Sequence, residues 1–160
     1  MNYNYRKYPL EQLLEIGTGT AIKNNVSSLS YEELRLVTQR IGGQLASINV
    51  GRGDSVGIVT ANGPHAASIF ISVASFATAA PLNPIYTKNE FKFYLLDLEA
   101  KILIVQEKLS SCSREAAEEL GIKIIEMRLQ GLPGDITLTL DNQIIETRTA
   151  TPNESDNTSL

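Results

Sequence analysis

The chain has 160 residues, 42% of them hydrophobic and 20% charged, an ordinary globular composition amounting to one domain and long enough to bury a core. A formal net charge of −4 gives no electrostatic footing on nucleic acid or an anionic membrane, so neither is expected as a partner. Cys112 is the only cysteine, which excludes an internal disulfide and points to a reducing, cytoplasmic setting.

At the start, Tyr3, Tyr5 and Tyr8 alternate with Arg6 and Lys7, without the apolar run of a secretory signal behind them. In an acidic chain this reads as a terminus rather than a nucleic-acid arm. Pro9 to Ile16 sets Leu10, Leu13 and Leu14 on one face of a short helix. Gly17 to Lys23 has the glycines, hydroxyls and lysine of a phosphate-cradling loop. It lacks the spacing of one and no strand leads into it, so it reads as a helix stop and a turn into the next strand.

Ser30 to Asn49 carries the clearest helix signal. Ser30 and Glu33 form a capping box, Leu29 and Leu34 flank it as a hydrophobic staple, and Leu34, Val37, Ile41, Leu45 and Ile48 recur on one face. The pair Gly42-Gly43 costs helix stability, about 1 kcal/mol per glycine relative to alanine, and implies a close neighbour at that point. Arg52-Gly53-Asp54 spells an adhesion tripeptide, but its place between a helix end and an apolar run makes it a turn. Asp54 to Ala61 is then a strand buried on both faces, and Asn62-Gly63-Pro64 breaks it and opens a helix at Pro64. From Ala66 to Phe76 that helix has no charge, so it should be covered over most of its surface. Ala66 to Leu82 is too short and too rich in Ser and Thr for a membrane span. Strand, helix and the short strand before Pro84 make a right-handed βαβ unit.

Thr87 and Glu90 repeat the capping box, with Tyr86 stapled to Phe91, and the helix from Lys88 to Leu98 buries Phe91, Tyr94, Leu95 and Leu98. Ile102 to Val105 is another strand buried on both faces. Ser111 to Leu120 is a helix ended by Gly121, and Ile122 to Ile125 is a strand whose Lys123 suggests a more exposed position. Thr137 to Leu140 and Gln143 to Glu146, joined by Asp141-Asn142, form a hairpin. The fold class is therefore α/β, a mostly parallel sheet with βαβ crossovers. The expected division is an N-terminal helix and turn over 1–28, an α/β core over 29–128, the hairpin over 129–150 and a polar tail over 151–160.

Catalytic signals are sparse. His65 is the only histidine, which leaves no pair for zinc and no nearby carboxylate to orient a general base. Cys112 sits near a helix start, where a thiolate is favoured, but without a histidine partner. Glu32, Glu33, Glu115, Glu118 and Glu119 read as helix-end and solvated carboxylates rather than an acid and base pair. No catalytic, cofactor-binding or metal-binding residue is nominated.

Three ordered motifs nevertheless carry a resemblance. Leu29 to Leu34 (LSYEEL), Gly53 to Ile58 (GDSVGI) and Asn62-Gly63-Pro64 are similar to the opening of the adenylate-forming, AMP-dependent synthetase and ligase superfamily. Thr78 to Leu98, followed by Ala100 to Val105, resembles its acyl-CoA synthetase branch, with oxalate–CoA ligase-like members nearest. The likeness covers roughly Ser27 to Met127, with weaker continuation to the end. Relatives usually have a glycine where this chain has Phe76, and the oxalate-type members tend to lose it.

The resemblance implies the N-terminal part of such an enzyme. Whole members use ATP, Mg²⁺ and CoA to activate a small carboxylic acid, with a phosphate loop, a ribose-binding aspartate and a C-terminal catalytic lysine. None of these matches a segment here, and Pro152 to Leu160 resembles the run leading into the phosphate loop. The expectation is a fragment inactive by itself. The alternatives are a non-catalytic module that pairs with a separate ligase fragment and, more weakly, a flavodoxin-like nucleotide-binding protein.

Overall fold

The structure, a computed structural model, describes residues 10, 14 and 16–147. The expected arm over 1–8 and the polar tail over 151–160 lie outside the described residues, as does most of the helix over 9–16. Leu10, Leu14 and Ile16 of that helix are helical, and Leu14 is buried.

A hairpin comes first. Strands β1 (Thr20–Lys23) and β2 (Ser28–Ser30) pair antiparallel, and Asn24 Oδ1 closes the turn by accepting from the backbone of Val26 and Ser27. Helix α1 (Tyr31–Ser47) follows directly, and strand β3 (Ser55–Val59) leads into helix α2 (Pro64–Ala74) and strand β4 (Thr78–Pro81). Helix α3 (Lys88–Asp97), strand β5 (Ala100–Gln106), helix α4 (Ser111–Leu120) and strand β6 (Lys123–Leu129) continue the alternation. Strands β7 (Ile136–Leu140) and β8 (Gln143–Ile144) close it.

The main sheet has six strands in the order β4-β3-β5-β6-β7-β8, parallel from β4 to β6 and antiparallel from β6 to β8. Parallel strands need a covering helix at every crossover, so both faces must be apolar. Val56 and Ile58 of β3, with Ile102 and Ile104 of β5, pack beneath Ile41 and Leu45 of α1 and Ile69 and Val73 of α2. On the opposite face Val59, Leu103 and Val105 meet Phe91 and Leu95 of α3 and Ala116 and Ala117 of α4. A smaller core of Leu14, Leu29 and Leu34, joined by Ile71, seals the first hairpin and the helical N-terminal residues over α1 and α2.

Local signals explain where the helices begin and end. In both capping boxes the cap hydroxyl accepts from the N–H three residues on, while the Glu33 or Glu90 carboxylate accepts from the cap N–H at 2.7 and 2.8 Å. These bonds hold both carboxyls below their usual range. Tyr86 meets Phe91 edge-on at 5.7 Å, completing the staple, and also stacks on Tyr94 at 5.0 Å. Gly121 ends α4 in the left-handed conformation at φ 67°.

One expectation needs correction. Lys123 is exposed, but β6 is an interior strand between β5 and β7 and runs on to Leu129. Its polar residues are absorbed by ion pairs: Glu126 takes a bidentate contact from Arg114 at 2.7 and 2.6 Å, and Arg128 pairs with Glu107. Arg114 also donates to the carbonyls of Gln106, Leu109 and Ser110, which pins the turn between β5 and α4 where Lys108 and Ser110 have positive φ. Helix α2 is covered over most of its surface as expected: Ser68, Ile69, Ser72 and Val73 are buried, and Phe70, 40% exposed, is its one exposed residue.

The neighbour implied by the glycine pair is Phe76. A Cβ on Gly42 would lie 2.3 Å from the Phe76 ring, so the helix backbone and the ring occupy one continuous contact. Gly42→Ala should therefore lower the unfolding free energy by about 1–3 kcal/mol through overpacking. In a Phe76→Ala background the same change should instead stabilise by about 1 kcal/mol, the helix propensity of alanine over glycine. Urea denaturation of the four proteins of that cycle measures both signs.

Across α3 and α4, Lys88 and Lys92 donate to the two oxygens of Glu119 at 2.6 and 2.8 Å. Those hydrogen bonds and charges pull the Glu119 carboxyl down to about 2. A carboxylate that is more acidic when folded contributes stability that is complete above its unfolded pKa and fades as pH falls toward the folded one. Glu119→Gln should accordingly flatten the loss of stability between about pH 5 and pH 2, and added salt should shrink the difference. Thermal melts of both proteins across that range read the slopes.

Candidate functional site

Open α/β sheets hold ligands outside the carboxyl ends of their strands, at the point where successive connections leave toward opposite faces. In this chain β3 leads into α2 on one face and β5 into α4 on the other, so that point falls between the ends of β3 and β5. The chain's own side chains occupy it. The Gln106 amide oxygen accepts from the Thr60 hydroxyl and from the Ala61 N–H, each at 2.9 Å. Beside it, Glu107 and Arg128 pair at 3.3 Å, and hydrogen bonding to the guanidinium lowers the Glu107 carboxyl. His65 reaches across with Nε2 3.1 Å from the Gln130 carbonyl oxygen.

Next to this closed crevice lies a cleft of about 680 Å³, between the end of β3, the first turns of α2 and the turn after β4. Asn83 shapes that turn, its side-chain oxygen accepting from the Ile85 N–H at 3.1 Å and its carbonyl from the Tyr86 N–H. The walls are Ile58, Ala66, Ala67, Phe70, Pro81, Leu82, Pro84 and Ile85, with the Thr60 hydroxyl and the amides of Asn62 and Asn83 as the polar groups. No wall residue is ionisable. Such a surface can enclose an apolar body and offer it a few neutral hydrogen bonds. It cannot offset the charge of a polyphosphate, which needs cations and positioned donors.

The residues weighed from sequence are scattered. His65 is the second residue of α2 and bonds to a carbonyl, not a carboxylate. Cys112 lies half-buried in the first turn of α4 against the core of the other face. Glu33 belongs to its capping box, and Glu115 and Glu119 face Lys88. Gly17 to Lys23 is a turn and strand: Gly17 lies under the Tyr31 ring, and its carbonyl accepts from Arg35. Arg52 to Asp54 is a turn with Gly53 at φ 85°, where Asp54 caps the Gly51 N–H and pairs with Lys101 at 2.9 Å. Among the described residues no group of three His, Cys, Asp or Glu converges as a metal site would require. Likewise no described helix is long and apolar enough to cross a membrane.

Sequence reasoning missed Gln106. The available signal was a single polar residue at the carboxyl end of the apolar run Ile102 to Val105. That position is where a central strand meets the ligand crevice of an open sheet.

Comparison with known proteins gives this geometry its context. The family model described as AMP-binding enzyme matches residues 15–158. A probable CoA ligase of Humulus lupulus is 36% identical over 112 residues, which cover 69% of this chain and 21% of the relative. The oxalate–CoA ligase of Arabidopsis thaliana is 29% identical across 83% of this chain and 27% of its own length. Among solved structures, a long-chain-fatty-acid–CoA ligase of Archaeoglobus fulgidus superposes with a TM-score of 0.66 at 23% identity, over 79% of this chain and 28% of the ligase. The chain thus spans 21% and 27% of the two curated relatives' lengths and shares the fold of a ligase's corresponding part. With the family model covering almost all of the sequence, the chain belongs to the AMP-binding enzyme family.

Proposed function

We propose that this chain is the N-terminal portion of an AMP-forming acyl-CoA synthetase and does not turn over by itself. The whole enzyme would join a carboxylate to AMP, releasing pyrophosphate from ATP, and would then pass the acyl group to the CoA thiol with release of AMP. The observation carrying the reading is the cleft: its walls hold no cation and no acid, so ATP and Mg²⁺ do not fit there. The likeness to an oxalate–CoA ligase, together with Phe76 in place of the usual glycine, supports the oxalate-type subgroup for the whole enzyme. The single cysteine supports a reducing, cytoplasmic setting, and the acidic balance argues against nucleic acid.

A second reading, a non-catalytic module that pairs with a separate ligase fragment, is favoured by one feature. Helix α2 has no charged residue, yet it leaves Phe70 open beside the cleft.

Pyrophosphate exchange into ATP tests the catalytic claim. The purified 160-residue chain, given Mg·ATP with oxalate or a fatty acid, should show no exchange above a protein-free control. Sustained exchange that tracks the protein would contradict the reading.

A further inference from the structure

We propose that Asn62 is a self-modification site: the backbone nitrogen of Gly63 closes on the Asn62 side-chain amide, and hydrolysis of the ring leaves a carboxylate on the wall of the uncharged cleft.

Asn62-Gly63 is the only Asn-Gly pair in the sequence. A glycine in that place has no Cβ to obstruct ring closure, and its backbone reaches conformations closed to other residues. Both residues are exposed in the bend between β3 and α2, with Gly63 at φ 152°. A Cβ on Gly63 would meet nothing within 4 Å, so the space beside the reacting atoms is open. Neither the Asn62 side-chain amide nor the Gly63 N–H has a hydrogen-bond partner among the described residues.

The other described asparagines are held back at one of the two reacting groups. Asn24 Oδ1 is engaged by the N–H groups of Val26 and Ser27, and the first of these is the nitrogen that Asn25 would need. The nitrogen after Asn49 donates to the Leu45 carbonyl at 2.9 Å, and the one after Asn89 donates to the Thr87 hydroxyl. Asn83 precedes a proline, which has no N–H to lose, and Asn142 precedes Gln143, whose backbone pairs with Leu140 in the hairpin. A bonded N–H must open before its nitrogen can react, and that opening is governed by local stability.

The chemistry needs only water. The Gly63 nitrogen, after losing its proton to solvent base, attacks Cγ of Asn62. The new C–N bond forms as the side-chain nitrogen leaves, protonated by water, as ammonia. The resulting succinimide then takes up water: opening at Cγ gives aspartate, and opening at the main-chain carbonyl gives isoaspartate. Each product adds a negative charge, and no atom changes oxidation state.

That charge has a defined setting. Asn62 shares the cleft wall with Thr60, Phe70 and Asn83, and it precedes α2, whose first turn has no acidic residue and whose cap Gly63 supplies no side-chain bond. A carboxylate there faces the positive end of the helix dipole, so the fold accommodates it. The cleft ceases to be uncharged and comes to disfavour anions.

Holding the purified 160-residue chain in warm, mildly alkaline buffer, with peptide mapping by mass spectrometry and enzymatic methyl labelling of isoaspartate, tests the proposal. Asn62 should convert first, about ten-fold or more faster than Asn49, whose neighbouring nitrogen must first leave Leu45. The same incubation in urea separates fold from motif: unfolding should accelerate Asn49 about ten-fold or more and leave Asn62 within about three-fold of its native rate. Asn62→Gln, which would have to form a larger ring, should lose the conversion at that position and leave the others unchanged. Asn62→Asp should melt no lower than the wild-type chain. An Asn62 amide that stays intact in the native protein, or that folding protects as strongly as Asn49, would overturn the site, and a lowered Tm for Asn62→Asp would overturn the setting given to its charge.

Discussion

Burial of β3 and β5 on both faces is the constraint from which the rest of the structure follows. Val56 to Val59 and Ile102 to Val105 are each no more than 2% exposed, apart from Gly57, which is also buried. Two adjacent parallel strands without a wet side require helices above and below. That requirement sends α1 and α2 to one face and α3 and α4 to the other. It also fixes where connections diverge, and so where an open sheet of this kind presents its crevice. Gly57 shows how tight the centre is: a Cβ there would stand 2.9 Å from Leu103 and 3.2 Å from Leu95.

The polar groups act as fasteners around that core. Gln106 ties the end of β5 to the exit of β3, Arg114 ties α4 to β6, and Arg40 donates to the carbonyls of Gly134 and Ile136 to hold the loop before β7 against α1. Gln44 donates to the Ile145 carbonyl at 2.7 Å and so anchors the chain after β8 to the same helix. Apart from the Arg114–Glu126 pair, which joins consecutive elements, each bond spans elements far apart in sequence. The Gln106 contacts and the Glu107–Arg128 pair sit at the sheet's carboxyl end, and the neighbouring cleft is open and uncharged. The cleft beside that end has no ionisable wall residue, whereas Glu107 and Arg128 meet each other at the ends of β5 and β6.

Much of the fold was legible because its signals are local. Capping boxes at Ser30 and Thr87, the stop at Gly121, the proline opening α2 and the two apolar runs each involve residues within a few positions of one another. The demand of Gly42 for a close neighbour was legible too, though the neighbour's identity was not, since Phe76 lies on the next helix's exit. What stayed hidden depends on long-range pairing. Lys123 marked β6 as exposed because nothing in Lys123 to Leu129 reveals that the following hairpin would add to its edge, or that Arg114 would neutralise Glu126. The cleft was invisible for the same reason: Ile58, Phe70 and Ile85 come from three elements that only the strand order brings together. The family resemblance was carried by short ordered motifs, and the match over residues 15–158 agrees with it.

The proposal at the centre of this account is that the chain keeps the scaffold of an AMP-binding enzyme and does not hold the nucleotide by itself. Isothermal titration of Mg·ATP into the isolated 160-residue chain addresses it directly. The account predicts no saturable heat up to millimolar nucleotide. Stoichiometric binding in the micromolar range, lost on altering residues at the carboxyl ends of β3 and β5, would contradict it.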